Sequence, residues 1–368
     1  MRTRAAVLWG LDEPWKVEDV ELDDPKRNEV MVKLTASGLC HSDEHLVTGD
    51  IPIPFPVVGG HEGAGVVEKV GEGVERVKPG DHVVLAFIPS CGRCKWCADG
   101  HANLCDLGAG IILGPQLDET YRFHADGQDV GQMCMLGTFS PYTVVPEASV
   151  IVIEDDIPLD KAALVGCGVT TGFGSAVNTG EVAPGDTVVV MGCGGIGMNA
   201  VQGARIAGAE RVVAVDPVAS KRELAQELGA THSVASMDEA WELVSETTWG
   251  GMANCCIITT DNTEMSHVGE ALNIVGKRGK VVVTAIPHPE DTSMEGSLFE
   301  MTLYEKQIRG SLFGSSNAHA QIPRLLSLYR QGVLKLDELV TRTYTLDEIN
   351  QGYDDLRSGK NVRGMIVY

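Results

Sequence analysis

Along the first 160 or so residues, apolar positions come in short runs cut by glycine and proline. EVMVKL (29–34), GAGVVEKV (63–70) and GDHVVLAF (80–87) each read as a strand, and their spacing predicts a β-rich, barrel-like domain. PIPFPVV (52–58) reads as a stiff extended loop, because prolines cannot donate to a central ladder. Beyond about Leu164 the pattern changes. DTVVVMG (186–192) is a fully apolar strand, followed by a glycine turn, a helix-like run to about Gly208 and a second strand, RVVAVD (211–216). Helix-like KRELAQELGA (221–230), strand CCIITT (255–260), a helix near EALNIV (270–275) and strand KVVVTAI (280–286) continue the alternation. Strands alternating with helices predict a doubly wound parallel sheet. The tail VRGMIVY (362–368) has no helical partner after it and is expected to rejoin the first domain. The expected organisation is α/β: a β-rich domain over 1–168, a parallel-sheet domain over 169–312, and a return to the first domain over 313–368. No internal repeat or low-complexity segment interrupts it.

Composition narrows the function classes. Hydrophobic residues make up 43% of the 368 and charged residues 22%, which describes a globular protein. A formal net charge of −22 repels phosphate backbones and anionic lipid, so nucleic acid and membrane surfaces are not expected partners. In MRTRAAVLWGLDEPW the apolar run meets Asp12 and Glu13 too soon for an export signal, and the expected compartment is the cytoplasm. Ten cysteines in that compartment point to metal or redox chemistry before disulfides.

CGRCKWCADGHANLC spaces Cys91, Cys94, Cys97 and Cys105 as C-x2-C-x2-C-x7-C. Four thiolates on one short loop suit a closed tetrahedral zinc site that staples a lobe and does no chemistry. An iron–sulfur cluster also uses x2 spacings. Here, however, Asp106 stands where a ferredoxin-type run often carries proline, and the flanks are polar.

MGCGGIG places Gly192, Gly194 and Gly197 in a G-x-G-x-x-G between a strand and a helix, with Gly195 and Ile196 inside it. The glycines permit a tight turn, close approach of a pyrophosphate, and close helix–strand packing. Asp216 closes the next strand, placed to accept both hydroxyls of an adenosine ribose and to repel a 2′-phosphate. Pro217 follows where a basic residue would favour NADP(H), so NAD(H) is the expected cofactor.

Three segments far apart in the chain complete the chemistry: GLCHSDEHLVTGD (38–50), GGHEGAG (59–65) and GCGVTTG (166–172). Cys40, His61 and Cys167 form a Cys2His set that leaves one tetrahedral position for water or substrate. Here the chain resembles the zinc-dependent, medium-chain alcohol dehydrogenases. G-H-E-x-x-G, the four-cysteine lobe, G-C-G-x-x-T-G and the nucleotide turn occur in family order over nearly the whole length. The resemblance implies a GroES-like catalytic domain interrupted by a Rossmann domain, two zinc ions per chain and NAD(H). It assigns the catalytic zinc to Cys40, His61 and Cys167, with Glu62 just behind the metal and Asp43 bonded to His61. It places Ser42 at the substrate hydroxyl and His45 on the proton path to solvent. It puts His41 and Arg363 at the pyrophosphate, Thr171 beside the nicotinamide, Lys221 at the adenosine ribose, and Ile51, Phe87 and Ile286 around the substrate. Glu44, Cys134, Cys193, Cys255 and Cys256 receive no role.

GLCHSDEHLVTGD, GPQLDETYRFHADGQDVGQMC and VGCGVTTG resemble most closely the nicotinoprotein subgroup, the NDMA-dependent, mycofactocin-associated alcohol dehydrogenases. That likeness implies NAD(H) that stays bound and is recycled by an external acceptor. It also implies a small alcohol or aldehyde as substrate and a homodimer or homotetramer. The extended segment after the lobe is shared with glutathione-dependent formaldehyde dehydrogenase. Residues 96–121 contain no Lys or Arg to anchor an anionic glutathione adduct, so that reading is disfavoured.

Overall fold

The computed structural model describes residues 1–261, 263–285, 290 and 293–368. The chain forms two compact units, residues 1–167 with 317–368, and residues 168–316.

The spine of the first unit is the strand Glu29–Gly38. It is buried along most of its length because Gly63–Val70, Tyr142–Pro146 and Arg363–Val367 all pair with it, each antiparallel. The sheet runs in the order Val150–Val152, His82–Leu85, Gly63–Val70, Glu29–Gly38, Arg363–Val367, Val340–Tyr344. A second set closes into a small barrel from Arg2–Leu8, Lys16–Leu22, Phe123–Ala125, Gln128–Gln132 and Val57–Val58. The last of these departs from the expected loop over 52–58. Val57 and Val58 lie past the final proline, so both keep their N–H groups and pair with Arg2–Leu8 and Gln128–Gln132. The tail holds two helices that the apolar pattern did not suggest, Ala318–Arg330 and Ile349–Arg357, before the final strand.

Where the spine begins, Glu29 is buried against Arg122, whose side chain is fully enclosed. The guanidinium donates from Nε to Glu29 Oε2 at 2.8 Å and from Nη2 to Oε1 at 2.5 Å, and also reaches Asp118 at 2.9 Å. This pair ties the segment after the cysteine lobe to the spine.

The second unit is a six-stranded parallel sheet in the order His232–Val234, Arg211–Val215, Thr187–Met191, Ala253–Ile258, Val275–Val283, Gln307–Gly310. Numbered along the chain from Thr187–Met191, this is 3-2-1-4-5-6, the Rossmann order. Helices Gly195–Ile206, Ala219–Glu227, Met237–Thr247 and Met265–Ile274 alternate with the strands. Thr187–Met191 is buried throughout, which is why it reads as a continuous apolar run and not an alternating one. The strand expected at 280–286 begins earlier, at Val275. Among the described residues no helix is long and apolar enough to cross a membrane.

Removing one partner of a buried charge pair leaves the other uncompensated, so Arg122→Met should destabilise the first unit by about 3–5 kcal/mol. Adding Glu29→Leu to it should recover most of that loss. Chemical denaturation followed by tryptophan fluorescence measures both.

Candidate metal centres and nucleotide turn

The first centre is built by strand register. Ser37 pairs with Gly63, Gly63 with Leu85, and Met365 with Gly38, so four strands end at one edge of the sheet. Cys40 lies two residues past Gly38, His61 and Glu62 directly precede Gly63, and Arg363 lies two residues before Met365. Gly166 packs so tightly on the Leu85 carbonyl that a Cβ would come within 2.3 Å of it, which brings Cys167 to the same edge. The donor atoms of Cys40, His61, Glu62 and Cys167 all lie within 4.8 Å of one another, and all four residues are buried.

The charges of these groups suit a bound cation. His61 Nδ1 donates to Asp43 Oδ1 at 3.2 Å, and the same oxygen accepts the Gly60 N–H at 2.9 Å. His61 Nε2 is buried with no hydrogen-bond partner among the described residues. Burial alone would lower the His61 pKa, but the fully buried Asp43 raises it well above its ordinary value. A hydrogen bond from Cys167 draws the Cys40 thiol well down, and the same bond, with burial, holds Cys167 well up. Burial pushes the Glu62 carboxyl up, while its ion pair with Arg363 Nη2 opposes that shift. Two thiols, an unpartnered imidazole nitrogen and a fixed second nitrogen suit zinc.

Around this centre, Cys40 caps the helix His41–Thr48. Ser42 Oγ lies 3.6 Å from Cys40 Sγ. His45, expected on the proton path, is buried, with its Nδ1 2.8 Å from an Asp50 oxygen. Half-buried Phe87 packs edge-on to the His61 ring with centroids 6.0 Å apart. Ile51 donates its N–H to the His45 carbonyl and packs on the core beside Phe87's neighbours. Ile286 lies outside the described residues. His41 is half-buried at the first position of its helix. Arg363, expected at a pyrophosphate, is buried with its guanidinium on Glu62.

The second centre is the lobe. Cys91 and Cys97 sulfurs are 4.0 Å apart, and those of Cys94 and Cys105 are 3.9 Å apart. A tetrahedron with Zn–S bonds of about 2.3 Å has an S···S edge of about 3.8 Å, while a disulfide would need about 2.05 Å. Backbone N–H groups point at the sulfurs: Cys94 and Arg93 at Cys91, Cys97 at Cys94, Cys91 at Cys105. These donors pull the Cys94 thiol down to about 6, while burial and its sulfur neighbours push Cys97 up to about 12. Four thiols this close cannot all ionise unless a cation joins them.

In the second unit the glycine turn follows Thr187–Met191 and opens the helix Gly195–Ile206. Gly192 has φ 92°, and a Cβ on Gly197 would sit 1.9 Å from the Gly192 carbonyl oxygen, so both glycines are required by the protein itself. Gly194 differs: a Cβ there would meet no atom of the described residues within 4 Å. Gly195 and Ile196 form the first helical turn, half-buried. Asp216 is buried at the end of its strand, with Oδ2 accepting the Cys193 N–H and Oδ1 the Val218 N–H, both at 2.9 Å. Lys221 is half-buried on the next helix. Thr171 is buried, and its carbonyl accepts the Ser175 hydroxyl at 2.7 Å.

Several residues at these sites carried no signal in the sequence. Tyr353 is buried facing Asp43, and burial together with that charge keeps its phenol well above the usual range. Arg222 donates to the carbonyls of Asp216 and Pro217 at 2.8 and 2.9 Å. Glu44 pairs with Arg357. Asp50 follows a helix and a glycine, a pattern that could have flagged a chain reversal toward His45. Burial pushes the thiols of Cys134, Cys193 and Cys255 up to about 12 and that of Cys256 well up, so all four remain protonated.

Comparison with known proteins agrees with this geometry. Residues 26–155 match the alcohol dehydrogenase GroES-like domain and residues 195–331 the zinc-binding dehydrogenase domain. An NDMA-dependent alcohol dehydrogenase of Amycolatopsis methanolica is 55% identical over 368 residues, covering 100% of this chain and 99% of that protein. Among solved structures, a zinc-binding-domain alcohol dehydrogenase from Burkholderia ambifaria superposes with a TM-score of 0.94 at 34% identity. Benzyl alcohol dehydrogenase from Acinetobacter calcoaceticus does so with 0.93 at 30%. Each covers 100% of this chain and 99% of its own.

If the two centres are independent, purified protein carries about two zinc per chain. Cys40→Ala should then lower the content to about one, and Cys91→Ala should remove the other ion. Elemental analysis of the three proteins reads this directly, and loss of both ions in Cys40→Ala would contradict separate centres.

Proposed function

The chain belongs to the zinc-dependent medium-chain alcohol dehydrogenases, and on that premise we propose that it oxidises a small alcohol to an aldehyde or ketone, and the reverse, with NAD(H) that stays bound and is recycled by an external acceptor. The observation that carries the metal chemistry is the buried His61 Nε2, unpartnered and grouped with the Cys40 and Cys167 sulfurs. When bound, zinc supplies the Lewis acidity that favours loss of the hydroxyl proton, and the nicotinamide accepts the hydride.

The chain's own residues do the rest. Asp43 holds the proton on His61 Nδ1, which keeps Nε2 a donor toward the metal. Arg363 pairs with the Glu62 carboxylate, and Cys40, His61 and Cys167 as the three zinc donors leave one position for substrate. Ser42 takes the substrate's hydroxyl proton and His45 receives it. Phe87, with Ile51, gives the substrate an apolar wall. In the second unit, Asp216 and Lys221 hold the adenosine ribose and Thr171 flanks the nicotinamide. The open space at Gly194 supports a close backbone approach by the cofactor's pyrophosphate, because none of the described residues needs a glycine there.

Retention of the nucleotide rests on likeness to the NDMA-dependent alcohol dehydrogenase of Amycolatopsis methanolica. A glutathione-adduct dehydrogenase is disfavoured for a structural reason as well. Arg122, the first cation after the cation-free segment, is buried in ion pairs with Glu29 and Asp118.

Protein purified and desalted without cofactor should retain about one nicotinamide nucleotide per chain. Alcohol alone should then raise the reduced-nicotinamide absorbance. Nucleotide-free protein active only with added NAD would leave the dehydrogenase reading standing and remove the retention. Separately, Gly194→Ala should fold normally and lose nucleotide, whereas Gly197→Ala should lose folding stability. Calorimetry with and without NAD separates the two.

A further inference from the structure

We propose that Asp50 is a positioning residue of the proton path, fixing the tautomer of His45 so that Nε2 is the nitrogen free to take a proton. This rests on the reading of His45 as a relay base.

The local backbone builds the pair. The helix His41–Thr48 ends at Gly49, which adopts φ 85° in the left-handed region and turns the chain back on itself. The Ile51 N–H then donates to the His45 carbonyl at 3.0 Å, and the Asp50 carboxylate is returned to the His45 ring, with Oδ2 at 2.8 Å from Nδ1. The Thr48 hydroxyl donates to the same oxygen at 2.7 Å, a second bond that anchors the carboxylate. The ring is enclosed, with 9% of its side chain exposed, against 25% for Asp50.

An ionised carboxylate only accepts hydrogen bonds, so the proton of a neutral His45 ring must be on Nδ1. Nε2 then carries a lone pair. An unassisted imidazole in water prefers the opposite tautomer, with Nε2 protonated and unable to accept. Asp50 therefore does for His45 what Asp43 does for His61: each carboxylate fixes Nδ1–H and commits Nε2 to its task.

The test reads the tautomer itself. Zinc-loaded protein with 15N-labelled histidine, assigned against His45→Gln, should show His45 protonated at Nδ1. Asp50→Ala should move the proton to Nε2 and lower kcat for alcohol oxidation at least about tenfold, with KM close to wild type. Asp50→Glu should restore the tautomer and most of the turnover. In a His45→Gln background, Asp50→Ala should add no further loss. Wild-type His45 protonated at Nε2, or an equal loss from Asp50→Ala with and without His45, would overturn the proposal. Normal turnover by His45→Gln would sink the relay reading itself, by a different variant from those that test Asp50.

Discussion

Ionised thiols repel one another, and this fold crowds six of them into two groups. Cys91, Cys94, Cys97 and Cys105 meet in the lobe, and Cys40 and Cys167 meet beside His61. Cys40 is drawn down as Cys167 is held up because the two share one hydrogen bond, and in the lobe backbone N–H donors draw Cys94 down while burial pushes Cys97 up. A divalent cation at each centre resolves the conflict, and much of the first unit serves to hold these groups where such a cation would sit.

The two centres are held by different means, and the difference predicts their roles. The lobe is local: four ligands from fifteen residues, with sulfurs fixed by backbone N–H groups of the same loop. The other centre is global, assembled where Glu29–Gly38, Gly63–Val70, His82–Leu85 and Arg363–Val367 end together. A local closed site staples a loop. A site on a rigid sheet edge can hold three donors in place and leave a position for chemistry. Glu62 could fill that position, and its carboxylate is paired with buried Arg363.

The sequence exposed ligand identities better than ligand surroundings. Spacing alone identifies the lobe, because all four cysteines lie on one loop. The glycine turn was readable from its strand and helix flanks. Cys40, His61 and Cys167 could be grouped only through the family likeness, since strand register brings them together and register is not written in any single segment. The burial of Arg363 and His45 was not readable, because a charged residue looks the same whether it meets solvent or a buried partner. Tyr353 escaped notice for the same reason: its helix is amphipathic, and nothing in INQGYDDLR marks which buried position faces Asp43. Val57–Val58 escaped because three prolines masked the two residues that follow them.

The account stands on two chemically distinct zinc centres, one closed by sulfur and one open. Zinc K-edge X-ray absorption of the purified protein tests this most directly. The closed site contributes four sulfurs, and the open one two sulfurs with about two nitrogen or oxygen ligands. The average first shell should therefore hold about three sulfurs and one lighter ligand per zinc. A shell of sulfur alone, or one with no sulfur, would contradict it.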